Sequence, residues 1–203
     1  MPQYGFHLNV ANCIGCRACE AACNQEYNSQ PGVKRRSVII TDGLNGQGKP
    51  FMRFLSLACN HCEIPACANA CPVQRYAKDP DTGIVYIKPS KAEDAVNGVD
   101  CTGCRRCEAA CPYGAPQFDQ ESKVMDKCTG CLHRITSTTL PVEKRIPACV
   151  LTCSSNALRW GPVSAFDANP AKYGESQLTI GSSPDIADPS VTKPSIRFSN
   201  KRA

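Results

Sequence analysis

The sixteen cysteines of this 203-residue chain are the feature that most constrains its fold. They fall into four groups of four, and no cysteine of the sequence lies outside a group. The groups are Cys13, Cys16, Cys19 and Cys23; Cys59, Cys62, Cys67 and Cys71; Cys101, Cys104, Cys107 and Cys111; and Cys128, Cys131, Cys149 and Cys153. The numbers of residues between successive cysteines are 2-2-3, 2-4-3, 2-2-3 and 2-17-3. Such a chain is expected to fold around its thiols.

The repeated spacing predicts iron–sulfur clusters. A run of C-x2-C-x2-C-x3-C is typical of bacterial ferredoxins, in which three cysteines of the run bind one cluster and the fourth binds another. Runs of this kind therefore work in pairs. Groups two and three both end in Cys-Pro and enclose a compact segment. We expect them to form one two-cluster module, inserted into a second module made by groups one and four.

This pairing predicts four ligand sets, which we call sites 1 to 4. Site 1 is Cys13, Cys16, Cys19 and Cys153, and site 2 is Cys23, Cys128, Cys131 and Cys149. Site 3 is Cys59, Cys62, Cys67 and Cys111, and site 4 is Cys71, Cys101, Cys104 and Cys107. All sixteen cysteines are therefore predicted to bind a cofactor, as the iron ligands of four clusters.

Zinc and disulfides are the alternative explanations for so many cysteines. Zinc takes four ligands, which two CxxC pairs supply, and this leaves the third cysteine of groups one and three without a role. Disulfides belong to oxidising compartments, and residues 1–12 lack the basic start and the apolar run of a secretory signal. A thioredoxin-like CxxC pair would stand alone. Iron–sulfur clusters explain the whole pattern better than any of these.

Several segments resemble the four-cluster iron–sulfur subunit of dimethyl sulfoxide reductase. They are YGFHLNVANCIGCRACEAAC, CNHCEIPACANACP, CRRCEAACPYGAPQF and TKPSIRF. The wider group includes the matching subunits of polysulfide, thiosulfate, arsenate and nitrate reductases and of formate dehydrogenases. The resemblance covers nearly the whole chain and is weakest at residues 24–50 and 166–190.

The resemblance implies a cofactor set, partners and a role in anaerobic respiration. Some members of the group hold a three-iron cluster where a cysteine of group three is replaced, but Cys104 fills that place here, which implies four [4Fe–4S] clusters. The nested pairing of sites 1 to 4 is the one found in that group. Its members carry electrons between a catalytic subunit with a molybdenum or tungsten bis-pterin and a quinone-reactive membrane subunit.

The expected fold class is α+β, with two interlocked ferredoxin-like modules and loop-rich insertions. The outer module is expected at residues 1–58 and 112–161, the inner module at 59–111, and an extended tail that contacts partner subunits at 162–203. Alternating sequence predicts strands at residues 4–10, 38–41, 51–57 and 84–88. The repeated EAAC at Glu20 and Glu108 predicts short helical turns and indicates internal duplication. Within the tail we expect a short helix at 166–173 and extended coil at 182–194.

The positive charge is expected to compensate the clusters. The formal net charge is +5 with neutral thiols. Four oxidised clusters with their thiolates contribute about −8, so the net charge of the loaded protein is about −3. The basic excess therefore does not indicate nucleic-acid binding. The cations beside the groups are Arg17, Arg105, Arg106, Lys127 and Arg134. Because positive charge favours a reduced cluster, we expect site 4 to be among the clusters of higher potential.

No catalytic residues are predicted on this chain. It contains no dinucleotide-binding, P-loop or nucleophile-elbow motif, and His61 and His133 are expected to donate hydrogen bonds or to pack, not to bind iron. The predicted function is that of an electron-transfer subunit, with a free-standing polyferredoxin as the alternative. No apolar stretch approaches the length of a membrane helix. The resemblance implies membrane association through partners, on the periplasmic face by co-export with a signal-bearing partner or on the cytoplasmic face.

Overall fold

The computed structural model describes residues 2–88, 100–168 and 187–199, which form a mixed α/β structure of short helices and small sheets. The strands are β1 (Tyr4–Asn9), β2 (Arg36–Leu44), β3 (Pro50–Ala58), β4 (Tyr76–Lys78), β5 (Val85–Ile87), β6 (Gln117–Phe118), β7 (Met125–Asp126), β8 (Leu158–Pro162) and β9 (Arg197–Ser199). The helices are α1 (Ala18–Tyr27), α2 (Ala66–Asn69), α3 (Arg106–Ala110), α4 (Leu132–Ile135), α5 (Ala148–Leu151) and α6 (Val163–Ala168), and a 3₁₀ turn covers Val142–Lys144. In these ranges no helix has both the length and the apolar character needed to cross a membrane.

A three-stranded sheet joins distant parts of the chain. The predicted strand near the start is confirmed as β1, which runs antiparallel to β8 and parallel to β9. Phe6 lies opposite Trp160, and Leu8 lies opposite Leu158 on one side and Phe198 on the other. These apolar residues belong to the larger buried cluster of the protein. The sheet therefore holds together the start of the chain, the segment after group four and the C-terminal segment.

A long hairpin follows group one. The two strands predicted here are confirmed as β2 and β3, which are longer than predicted and pair from Arg36 with Ala58 to Leu44 with Pro50. Their turn is closed by the amide of Asn45, which donates to the carbonyl of Lys49 at 2.8 Å. The base of the hairpin is buried, and its tip is open to solvent, with Leu44 70% exposed.

Groups two and three are followed by the same structural unit. In each, a short helix carries the third cysteine, and a two-stranded hairpin comes after the fourth: α2 with β4–β5, and α3 with β6–β7. The two hairpin turns have matching backbone hydrogen bonds, each 2.9 Å long. In the first, the amide of Asp79 donates to the carbonyl of Ile84, and the amide of Gly83 donates to the carbonyl of Asp79. In the second, Asp119 bonds in the same way to Val124 and Lys123. The structure thus extends the duplication that the repeated EAAC indicated.

The C-terminal segment 187–199 packs back onto this chain. The amide of Ser195 donates to the carbonyl of Asn60 at 2.8 Å, and the hydroxyls of Tyr113 and Thr192 lie 2.7 Å apart. At Gly5 an added Cβ would come within 1.8 Å of the carbonyl oxygen of Ser195, so glycine permits this close approach. The helix predicted at 166–173 overlaps α6, which begins earlier, at Val163, and the predictions for residues 169–186 lie outside the described residues. The extended coil predicted up to residue 194 is wrong for residues 189–192, which form a turn in which the amide of Lys193 donates to the carbonyl of Pro189 at 2.9 Å. The predicted contact of the tail with partner subunits stays a prediction.

A second, smaller buried cluster lies at the paired hairpins. Its buried members are Cys67, Cys107 and Met125. Partly buried residues of the two hairpins, among them Tyr76 and Phe118, pack against it. Two of its three buried members are thus predicted iron ligands.

Candidate iron–sulfur sites

Three cavities of the structure are each lined by four cysteines. One contains the four cysteines of site 1, a second those of site 3, and a third those of site 4. Each takes its cysteines from two different groups. A constant set of four thiols fits one kind of group bound repeatedly, and thiolates are the usual ligands of iron–sulfur clusters.

The cysteines of site 2 also lie close together. Burial raises the pKa of Cys23, and the neighbouring thiolates of Cys128, Cys149 and Cys131 raise it further. Burial likewise raises the pKa of Cys149 to about 12. All four side chains are buried. Thiolates in such surroundings need a compensating positive charge, such as that of bound iron.

The loops between the first cysteines have a shared backbone shape. Gly15 and Arg17 in group one, like Gly103 and Arg105 in group three, all have φ between 58° and 71°. Backbone turned in this way points successive N–H groups toward one side, which makes a cradle for an anion. Groups two and four contain residues of the same backbone conformation, His61 and Gly130. Their N–H groups donate to the Sγ of the first cysteine of the group: His61 to Cys59 at 3.4 Å, and Gly130 to Cys128 at 3.3 Å.

The loop after the fourth cysteine contributes a second kind of N–H donor. The amide of Arg75 donates to the Sγ of Cys71, and the amide of Leu158 donates to the Sγ of Cys153, both at 3.4 Å. Hydrogen bonds to thiolate sulfur stabilise the charged form and tune a bound cluster. The backbone around these cysteines therefore suits negatively charged clusters.

Buried cations lie beside the sites. The three largest fully buried side chains of the described residues are Arg36, Arg75 and Lys127. The Nζ of Lys127 donates to the Sγ of Cys59 at 3.4 Å. The sequence predicted a charge effect of Lys127 on the clusters from its position beside group four, but it missed Arg36 and Arg75. Arg36 lies outside the cysteine groups in sequence, and Arg75 has no feature in the sequence that indicates burial.

Comparison with known proteins agrees with this chemistry. A family model described as a 4Fe-4S dicluster domain matches residues 50–163, and one described as a 4Fe-4S binding domain matches residues 11–28. One of the chains of the anaerobic dimethyl sulfoxide reductase of Escherichia coli is 38% identical over 168 residues, which are 79% of the present chain and 74% of that protein. This chain belongs to the family of dimethyl sulfoxide reductase iron–sulfur subunits. The predicted resemblance is confirmed.

Related subunits of other complexes are also similar. One subunit of the sulfite dehydrogenase of Allochromatium vinosum is 33% identical, over 83% of this chain and 72% of that protein. The formate dehydrogenase iron–sulfur subunit of Wolinella succinogenes is 34% identical, over 77% of this chain and 80% of that protein. Membership of this family makes the chain an iron–sulfur electron-transfer protein of the kind found in oxidoreductase complexes.

In this protein, most of the cations that were predicted to act on the clusters form ion pairs with carboxylates. Arg17 bonds to Glu20 at 3.4 Å and is 50% exposed, and Arg105 bonds to Glu108 at 2.6 Å and is 54% exposed. Arg134 bonds to Glu26 at 3.0 Å, and Arg106 is exposed. Solvent and the paired carboxylates screen these charges. The higher potential predicted for site 4 therefore loses most of its expected support and stays a prediction.

The two histidines near cysteines have different surroundings. His61 is fully buried between sites 2 and 3: its Nε2 lies 3.8 Å from the Sγ of Cys128, and its amide bonds to Cys59. Burial lowers the pKa of His61. His133 is half exposed and bonds to Glu26 at 2.7 Å. Among the described residues, no group of three or more His, Cys, Asp or Glu side chains is spaced to hold a single metal ion.

Proposed function

We propose that this chain carries four [4Fe–4S] clusters and conducts electrons between a molybdenum or tungsten bis-pterin catalytic subunit and a quinone-reactive membrane subunit or another acceptor. The observation that carries the proposal is the recurrence of one cavity, lined by four cysteines from two groups, at sites 1, 3 and 4. The clustering of the four remaining cysteines supports the same role for site 2. Several relatives are named as subunits or chains of oxidoreductases.

The proposed ligand sets are those of sites 1 to 4. They imply an outer module at residues 1–58 and 112–161 that is interlocked with an inner module at 59–111. In each run the fourth cysteine would bind a different cluster from the first three. Cys23 would bind at site 2, next to site 1, and Cys71 would bind at site 4, next to site 3. The remaining tail, residues 162–203, is proposed to contact partner subunits.

When bound, each cluster takes up and releases one electron. The residues of this chain supply the surroundings for that exchange. Cysteines hold the iron, and backbone N–H groups stabilise the thiolate charge. Thr192 of the C-terminal segment lines the cavity of site 3 and is 1% exposed, so it helps to keep water out of that site.

Sites 1 and 4 are proposed as the places where electrons enter and leave the chain. Of the sixteen cysteines, Cys16 of site 1 and Cys104 of site 4 are the two that are exposed. The cysteines of sites 2 and 3 are buried or partly buried. Electron exchange with a partner needs a short distance to the surface, which sites 1 and 4 offer. Substrate conversion is assigned to the partner, and this chain has no proposed catalytic residue.

The proposed location is at a membrane through the partner subunits, on the periplasmic face after co-export with a signal-bearing partner, or on the cytoplasmic face. The alternative is a free-standing polyferredoxin that carries electrons between soluble enzymes. It would share the cysteines but would need no partner-binding tail.

Metal analysis of the natively purified, anaerobic complex tests the proposal. We expect about sixteen irons and sixteen sulfides per copy of this chain, after subtraction of any cluster on the large subunit, with one molybdenum or tungsten on that subunit. Sixteen irons on a solitary chain would favour the polyferredoxin. Zinc in place of iron would refute both functions.

A cysteine variant tests the pairing. Replacement of Cys153 with Ser is expected to disturb the cluster of site 1 and to leave that of site 2, because Cys153 lines the site 1 cavity. Electron paramagnetic resonance of the reduced complex separates the two clusters. Loss of the site 2 signal alone would contradict the nested pairing.

A further inference from the structure

The interior of the protein contains three cations that differ in their partners. Arg36, Arg75 and Lys127 are each at most 2% exposed. A buried charge is costly unless another charge or hydrogen bonds compensate it. Arg75 has a carboxylate partner, because its Nε lies 3.2 Å from the Oδ1 of Asp100. In the part of the chain that the structure describes, neither Arg36 nor Lys127 forms an ion pair with a carboxylate.

Arg36 stands between sites 1 and 2. Its Nη1 donates to the Oγ of Ser56 at 3.0 Å, and that Oγ lies 3.2 Å from the Sγ of Cys19 in site 1. Its guanidinium carbon lies 4.3 Å from the centre of the Phe6 ring. A hydrogen bond from the Arg36 side chain also acts on the thiol of Cys149 in site 2. The cysteines that interact electrostatically with Arg36 are Cys149, Cys128, Cys19 and Cys23.

Lys127 is the buried cation next to site 3. Its Nζ donates to the Sγ of Cys59 at 3.4 Å and also to the carbonyl oxygens of Cys128, at 2.8 Å, and Val85. The two carbonyls fix the ammonium group in place without neutralising its charge. Its positive charge acts on Cys67 and Cys111, which complete the site with Cys59 and Cys62.

We propose that Arg36 is the shared counter-charge of sites 1 and 2, that Lys127 is the counter-charge of site 3, and that the two cations raise the reduction potentials of these three clusters. This inference rests on the proposed function. A reduced cluster is one charge more negative than an oxidised one, so a buried cation that solvent does not screen stabilises the reduced form. Neither residue binds iron: Lys127 acts through its hydrogen bond to the ligand Cys59, and Arg36 acts by its charge and through Ser56.

Site 4 differs, because its neighbouring cations are paired. Arg75 lines the site 4 cavity and is paired with Asp100. Arg105, on the surface beside the same site, is paired with Glu108. Paired charges add little net potential at the cluster. We therefore expect site 4 to gain less from its cations than sites 1, 2 and 3, in contrast to what the sequence predicted.

The test is a potentiometric titration of the anaerobic, iron-loaded complex, followed by electron paramagnetic resonance. In the Arg36→Met variant the equilibrium constant for reduction is expected to fall about tenfold at sites 1 and 2, which is about 59 mV per one-electron step. The reduction potentials of sites 3 and 4 should not change. In the Lys127→Met variant the fall is expected at site 3 instead.

Two control variants separate charge from structure. Lys144→Met removes an exposed cation from the 3₁₀ turn between Cys131 and Cys149, and it should change the site 2 equilibrium less than twofold. Arg36→Lys keeps the charge but loses the guanidinium hydrogen bonds, and it should keep both equilibria within about twofold of the native protein. Unchanged potentials in both methionine variants would overturn the proposal. So would an Arg36→Lys variant that shifts as much as Arg36→Met.

Failure to assemble also gives a result. If Arg36→Met and Arg36→Gln both lose the iron of sites 1 and 2 while Arg36→Lys retains it, the requirement for charge is supported by iron content. If Arg36→Lys loses the iron as well, shape and not charge is required, and the proposal fails. The native complex is measured first. If it lacks four distinct clusters, the proposed function fails, whereas four clusters that no variant shifts refute this inference alone.

Discussion

The region of the three-stranded sheet and the region of the paired hairpins stabilise their candidate sites in different ways. Around the sheet, Phe6, Leu8, Leu158 and Phe198 belong to a large buried cluster that also contains cysteines of sites 1, 2 and 3. At the hairpins, the buried cluster has three members, and two of them are the cysteines Cys67 and Cys107. The sheet region has an apolar core of its own, whereas in the hairpin region the bound clusters must replace most of the core.

Removal of iron should give the largest effect and should separate the two regions. We expect the cluster-free chain to be largely disordered, because the unfolded chain has no preformed site and cluster binding supplies folding free energy. During stepwise removal by a chelator, amide protection at residues 66–87 and 106–126 should be lost before protection in β1 and β8. Hydrogen exchange with mass spectrometry measures this order. A cooperative thermal transition in cluster-free chain, or simultaneous loss in both regions, would contradict the comparison.

Closure of the C-terminal segment over the sheet is the next target. In a Gly5→Ala variant the new Cβ would meet the carbonyl of Ser195 at 1.8 Å, so β9 should separate from β1 and Thr192 from the cavity of site 3. We expect faster proteolysis within 187–199 and faster cluster loss in air. Gly161→Ala is the matched control, since Gly161 pairs with Gly5 in the sheet but its nearest new contacts would be an ordinary 3.5 Å. Equal behaviour of the two variants would refute this role.

Truncation of one core side chain in each region tests the comparison directly. Leu8 lines site 1 in the sheet region, and Met125 lines site 4 in the hairpin region. Each change to alanine is expected to lower the free energy of unfolding by about 2–5 kcal/mol. Met125→Ala should also release the iron of site 4, because few buried residues remain there, whereas Leu8→Ala should retain the iron of site 1. Thermal inactivation with iron analysis compares them, and the opposite pattern of iron loss would show that core size does not decide.

The smallest expected effect concerns His7 in β1. Burial, and then the charge of Arg159, lower the pKa of His7 to about 4, below the ordinary value of about 6.5. The unfolded chain therefore binds the proton first as pH falls, so stability decreases from about pH 6.5 to about pH 4. His7→Gln should remove this component from the pH dependence of thermal inactivation, and His133→Gln, at an exposed position, should retain it. A native slope in the His7 variant would exclude the effect.

The predictions from sequence succeeded where contacts are local. The strands around Phe6 and the β2–β3 hairpin are confirmed because alternation and turn residues are local properties. The matched hairpin turns at Asp79 and Asp119 were missed, since their sequences differ although their hydrogen bonds agree. The pairing of β9 with β1 was also missed, because it joins residues almost two hundred positions apart.

The sequence by itself determined the class of cofactor of this protein, because closely spaced runs of cysteines are typical of iron–sulfur proteins. It also determined family membership, which the comparisons confirmed. The tertiary structure alone decided the electrostatic surroundings. Arg36 is brought close to Cys19, with Ser56 between them, by the β2–β3 hairpin, whereas Arg17, adjacent to Cys16 in sequence, is turned toward solvent and Glu20. The reason is physical: burial decides how strongly a charge acts, and burial depends on distant segments that pack together.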